Sequence, residues 1–223
     1  MMHITKSVFE YLKDLKKNNN REWFTANKSR FKAAETEIKR FYEAVKERME
    51  KHDKIERLKM FRIYRDVRFS KDKTPYKSHF AGSFSRLGAQ LRGGYYMHLK
   101  PGETFLAVGF WEPNKEDLLR IRKEWEQDAS ELQSILSDKK FKSIWGELKG
   151  DGVKTAPTGF DKEHPNIELI RKKQFIFVRE FPDKEVLAEN FIDEVDESFR
   201  AIRPFFDLMS DILTTNLNGE RLV

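Results

Sequence analysis

Helical periodicity at both ends of the sequence and strand periodicity in its middle predict an α+β fold. The expected architecture is a central, mainly antiparallel sheet of about five strands, with a long N-terminal helix and C-terminal helices packed on it. Two observations carry the prediction. Apolar residues recur every three or four positions from Phe24 to Val45 and again from Phe191 to Leu213. Between these stretches Phe61, Ile63, Val67 and Phe69 alternate with Arg62, Tyr64, Asp66 and Arg68, which is the period-two pattern of a strand. With 223 residues, 39% of them hydrophobic, and 19 Phe, the chain has material for a sizeable core. A single domain over 1–223 is therefore expected.

The elements follow in order. Residues 5–16 read as a short helix with Phe9, Leu12 and Leu15 on one side. Asn18-Asn19-Asn20 interrupts it, and Asn20 is placed to cap the next helix, because its side chain accepts from a backbone N–H left without a partner. That second helix runs to about residue 51, with Phe24, Phe31, Ala34, Ile38, Phe41 and Val45 as its apolar stripe. A strand over 61–69 follows, then turn chemistry over 70–75 and a second strand over 79–87. After a Gly-bearing loop, 95–100 and 103–111 form a hairpin around Pro101-Gly102. Asn114 caps a helix through Leu118, Ile121 and Trp125. Short helices occupy 129–148, a Gly/Pro-bearing loop occupies 150–165, and 175–181 is a further strand. In the last helical stretch Pro204 either kinks the helix or starts a new one.

Composition narrows the function classes. Lys+Arg 43 against Asp+Glu 37 gives a net charge of +6. The signs are interspersed, so the charge permits an anionic partner without requiring one. There is no cysteine, which removes disulfides, thiolate metal sites and a cysteine nucleophile. The first fifteen residues carry Lys and Glu without an apolar run, and no stretch of about 18 apolar residues occurs anywhere. A cytoplasmic location without membrane insertion is expected. The five histidines (3, 52, 79, 98 and 164) show no metal-ligand spacing, so no metal site is assigned. His79 and His98 fall in expected strands and could meet across the sheet. No phosphate-cradling or dinucleotide-binding Gly loop and no nucleophile elbow is present, and no cofactor is assigned.

One segment stands apart. Phe61 to Lys77 reads FRIYRDVRFSKDKTPYK. In a regular strand Arg65 shares a face with Phe61, Ile63, Val67 and Phe69, so one guanidinium would point toward the core. A buried charge is costly unless it is paired, which leaves two readings. Arg65 either meets a core-facing carboxylate or forms a pocket floor that grips a ligand carboxylate or phosphate. Asp66 sits between Arg62 and Arg68 on the other face, and Lys71, Asp72, Lys73, Tyr76 and Lys77 extend the cluster past the strand end.

These residues resemble the signature of domain of unknown function 2461, a mainly bacterial family. The pattern R-x-x-R-D-x-R-F-x-x-D-K-x-x-Y is carried by Arg62, Arg65, Asp66, Arg68, Phe69, Asp72, Lys73 and Tyr76. Asn18 to Phe24, Gly94 to His98, Pro157, Gly159-Phe160 and His164-Pro165 extend the likeness over nearly the whole chain. The resemblance implies one domain throughout and supplies no activity.

Three functional readings stay open. In the first, Arg62, Arg65, Arg68, Lys71, Lys73, Tyr76 and Lys77 bind an anionic small molecule bearing phosphate or carboxylate. Nucleic acid is a subcase that nothing in the sequence favours, since the aromatic and Arg residues lack the Gly-bearing RNA-recognition pattern. In the second, Asp66 or Asp72 acts as a general base in phosphoryl or acyl chemistry, with Tyr76 or His98 assisting. In the third, the motif is an internal ion network and the working surface is a protein interface elsewhere.

Overall fold

In the computed structural model, which describes residues 2–216, 220 and 221, five strands form an antiparallel sheet in the order β1-β2-β3-β4-β5. They are β1 (Ile55–Met60), β2 (Phe80–Arg86), β3 (Gly94–Leu99), β4 (Thr104–Phe110) and β5 (Phe175–Phe181). Helices α1 (Lys6–Lys17), α2 (Arg21–Ala26) and α3 (Lys28–Met49) precede the sheet. Between β4 and β5 come α4 (Lys115–Gln127), α5 (Ser130–Ser137), α6 (Lys139–Trp145) and the single turn α7 (Ile167–Ile170). The chain closes with α8 (Asp183–Val186), α9 (Phe191–Ala201) and α10 (Arg203–Thr214). The fold is α+β. Among the described residues no helix is long and apolar enough to cross a membrane.

Side-chain caps set several helix boundaries. Asn20 accepts from Trp23 N at 2.8 Å and Asn114 accepts from Asp117 N at 2.8 Å, as their positions predict. The helix expected to run unbroken to residue 51 is instead divided at Asn27. That residue's side chain donates to Trp23 O at 2.9 Å, an alternative to the helical ladder that Asn offers readily. Pro204 lies in the first turn of α10, where its missing N–H costs nothing, so it starts a new helix.

The chain packs as two compact units, each assembled from three stretches. The first comprises Met1–Phe84, Tyr96–Leu106 and Glu180–Glu197. Its core is aromatic: Tyr42 stacks on Phe84, Phe41 on Phe191, and Phe181 meets Phe191 edge-on. The Tyr42 hydroxyl donates to Met97 O at 2.8 Å, so this deeply buried phenol is satisfied. Gly82 is needed beneath that ring. A Cβ there would stand 2.7 Å from Tyr42. The even-numbered positions of β2 therefore face α3, and the odd ones face the other way.

The second unit comprises Ser85–Tyr95, Ala107–Arg179 and Ser198–Val223. Tyr95 meets Phe199 and Phe206 edge-on, Phe177 meets Phe141 and Phe205, and Trp125 meets Phe175. Trp145 donates its indole N–H to Ser198 O at 3.1 Å. A buried arginine, Arg86, is built into this core.

Candidate functional site

The strand expected over 61–69 is not formed. The first strand lies just before it, at Ile55–Met60, and the ladder to β2 ends as Phe61 N donates to Ala81 O at 2.9 Å. Residues 61–79 then fold back as an irregular loop, closed by one bridge between Tyr64 and Tyr76. Lys77 N donates to Ile63 O at 2.8 Å and Arg65 N to Pro75 O at 2.9 Å. Local side-chain bonds explain why a ladder loses here. Asp66 accepts from Arg68 N at 3.2 Å, and Asp72 accepts from Thr74 N at 2.9 Å and Thr74 Oγ1 at 2.8 Å. Pro75 has no N–H to contribute to a ladder.

The loop is anchored from outside by the Asn triplet. Asn19 donates its side-chain amide to Tyr76 O at 2.8 Å and accepts from Tyr76 N at 3.1 Å. The Tyr76 ring stacks on Phe24 of α2, with centroids 3.9 Å apart. Tyr76 and Ile63 are thus the buried feet of the loop. Tyr76 was expected among the ligand-binding and catalytic groups, and the structure puts its ring in the packing between loop and helix.

Arg65 does not point into the core. Its side chain is 26% exposed and ion-pairs with Asp72 of its own loop. It also donates to Thr74 Oγ1 at 2.5 Å. This bidding for Arg65, with Thr74 assisting, holds the Asp72 carboxyl down to about 2. Asp66 grips Arg68 through Nε and Nη2, at 3.0 and 2.6 Å, and its carboxyl is lowered by those bonds. Phe69, expected on a core face, is 96% exposed, and the Arg68 guanidinium lies 5.9 Å from its ring centroid. Lys73 donates to Val67 O at 3.0 Å.

The remaining cations are differently placed. Arg62 and Lys71 are exposed and have no ion pair among the described residues. Lys77 is half-buried, also without a carboxylate partner among them. Its ammonium is pushed below the ordinary lysine value, first by loss of water and then by repulsion from Arg62 and Arg65. The Lys77 Nζ stands 5.8 Å from the Phe61 ring centroid, and Lys59 Nζ stands 5.6 Å from the same ring.

Beyond Lys77 the loop runs onto the sheet face turned away from α3. His79 meets His98 of β3, as their strand positions suggested, with ring centroids 4.2 Å apart. His98 stacks in turn on Phe105 of β4 at 4.7 Å and 13°. Tyr96 completes the patch, its hydroxyl 3.1 Å from His98 Nδ1 and its ring 6.2 Å from Phe61. Burial pushes both histidines down to about 4. His79 is further lowered by His98, and His98 by Lys100. Both imidazoles are therefore neutral at physiological pH. Lys100 is itself paired with Glu103 at 2.6 Å.

The loop thus puts Lys77 within the electrostatic reach of Arg62 and Arg65, while Arg65, Arg68 and Lys73 are engaged by Asp72, Asp66 and the Val67 carbonyl. Sequence reading missed Lys59, Phe61, Tyr96 and Phe105 as site members. For Tyr96 and Phe105 the signal was present in the outward parity of β3 and β4; Lys59 and Phe61, at β1, carried none. Among the described residues no three His, Asp or Glu side chains gather as a metal-holding group.

No curated protein and no solved structure gives a significant match to the chain. The family model described as "Conserved hypothetical protein (DUF2461)" matches residues 7–208, a span that takes in the Asn triplet, the 61–77 loop and the histidine-bearing hairpin. The chain belongs to that family.

Proposed function

We propose that the protein is a cytosolic binding module for an anionic small molecule, bearing phosphate or carboxylate, at Arg62 and Lys77. One observation carries the reading: a half-buried ammonium, Lys77, feels the repulsion of Arg62 and Arg65 and has no carboxylate partner among the described residues. Holding a cation out of water beside like charges is unfavourable, and an external anion offsets that cost. The two internal pairs, Arg65–Asp72 and Arg68–Asp66, shape the loop and leave Arg62 and Lys77 for the ligand. Both assignments thus divide the motif between a structural and a binding part.

The same pairs weigh against Asp66 or Asp72 as a general base. A carboxyl held near 2, as Asp72 is, accepts a proton poorly at neutral pH. The test is titration of inorganic phosphate, pyrophosphate and citrate into the protein at low salt, followed by calorimetry. Binding is expected, with at least a tenfold loss in the double variant R62M/K77M. Absence of heat and of thermal stabilisation with all three anions would overturn the reading, as would equal affinity in the double variant.

A further inference from the structure

The sheet face beside Lys77 is built from rings. In β3, Tyr95, Met97 and Leu99 are buried, so Tyr96 and His98 project to the opposite side. In β4, Thr104, Leu106 and Val108 are buried and Phe105 is half-exposed. Phe61, at the end of β1, reaches Tyr96 across the outward position of β2, which is occupied by the small, buried Ala81. Tyr96 and Phe105 have centroids 5.8 Å apart. The result is a patch of four half-buried rings, Phe61, Tyr96, His98 and Phe105, on one sheet face of the first unit. Lys59 and Lys77 border it at Phe61, and Arg62 follows directly.

Half-buried rings on a sheet face beside unpaired cations are complementary to a ligand with a flat aromatic part and an anionic part. Stacking is tolerant of ring identity because every nucleobase has a π-face, whereas phosphate contacts fix position without reading the base. The neutral His79–His98 pair adds imidazole polarity to the platform without adding charge. Lys77 Nζ is 5.8 Å from the centroid of the first ring, so a phosphate at the ammonium leaves the rest of a nucleotide within reach of the platform.

We infer that the anion held by Arg62 and Lys77 is the phosphate of a mononucleotide whose base stacks on the Phe61–Tyr96–His98–Phe105 face. This rests on the anion-binding reading and adds the ligand class. The charge on the border of the patch selects the anion, and the rings select a planar base over a sugar or an aliphatic acid.

Calorimetric titrations of AMP, ribose 5-phosphate, inorganic phosphate and a short single-stranded oligonucleotide into the wild-type chain test it. AMP should bind at least ~10-fold more tightly than ribose 5-phosphate, the discrimination one base stack supplies. Phe105→Leu and Tyr96→Leu, checked for a cooperative melt, should each shrink that ratio toward one. Equal affinity for AMP and ribose 5-phosphate in the wild type overturns the base platform and leaves anion binding standing. Failure of all four ligands overturns both. An oligonucleotide that binds far more tightly than AMP, with steep salt dependence, overturns the mononucleotide assignment.

Discussion

Two pairs of cations, Arg86 with Arg92 in the second unit and Arg62 with Lys77 in the first, show what a positive side chain does in opposite surroundings. In the second unit, the Arg86 side chain is 0% exposed, and its Nη1 and Nη2 groups return to the protein. It donates to Arg92 O at 2.7 Å, Ser210 Oγ at 3.3 Å and Asp207 at 3.2 Å, and its guanidinium lies over Phe206. Arg92 in turn pairs with Asp117. In the first unit, Arg62 and Lys77 lie in an irregular loop with no carboxylate of their own among the described residues. The comparison teaches that charge density does not mark a binding site. What distinguishes the two pairs is whether the cation's donors are already engaged by the protein.

Substitutions should separate the two groups cleanly. Arg86→Met removes buried donors and leaves the Arg92 carbonyl without that partner, so it should cost about 2–4 kcal/mol in urea denaturation. A loss under 0.5 kcal/mol would put Arg86 on a par with a surface residue and break the contrast. The loop's anchor is of intermediate weight. Asn19→Ala removes two hydrogen bonds to the Tyr76 backbone and should cost about 1–2 kcal/mol, with faster amide exchange at Lys77 as a second readout.

The histidine pair gives the smallest effect and a defined pH window. Both imidazoles are held at about 4, against an ordinary value near 6.5. Between about pH 6.5 and 4 the unfolded chain takes up protons that the folded chain refuses. Stability is therefore full above that window and falls as pH falls through it. With solvent screening allowed for, the loss is on the order of 1 kcal/mol per histidine. The groups facing the pair are Lys77, Lys100 and Glu103. His79→Leu should flatten the slope of unfolding free energy against pH in this window. Asp72 loses its contribution only lower, between about pH 4 and 2, so the two can be told apart.

Much of the fold was legible because periodicity and capping are local. The hairpin, the Phe175–Phe181 strand, the Asn20 and Asn114 caps and an interruption at Pro204, whose form the sequence left open, all follow from residues within a few positions of each other. The first strand was not legible. Its IERLKM sequence carries Glu56, Arg57 and Lys59 on an exposed edge, so no alternation announces it. The neighbouring 61–69 segment alternates at every odd position but Arg65 and forms no strand. There the deciding interactions are side chain to backbone, from Asp66, Asp72 and Asn19, and the last comes from 57 residues away. For the candidate site, the cations were legible as a cluster. Which of them are spent on Asp66 and Asp72 was not, because pairing depends on how the loop folds. The meeting of His79 and His98 could be read from strand parity, while the ring patch around them needed the strand order as well.

The central claim, a Lys77 ammonium held short of a partner until an anion arrives, is tested most directly by NMR titration of its side chain. In the free protein, Lys77 should titrate below an ordinary lysine. Saturation with inorganic phosphate should move that titration upward, and R62M should raise it in the free protein by removing a repelling charge. An ordinary lysine titration, unmoved by phosphate, would contradict the account.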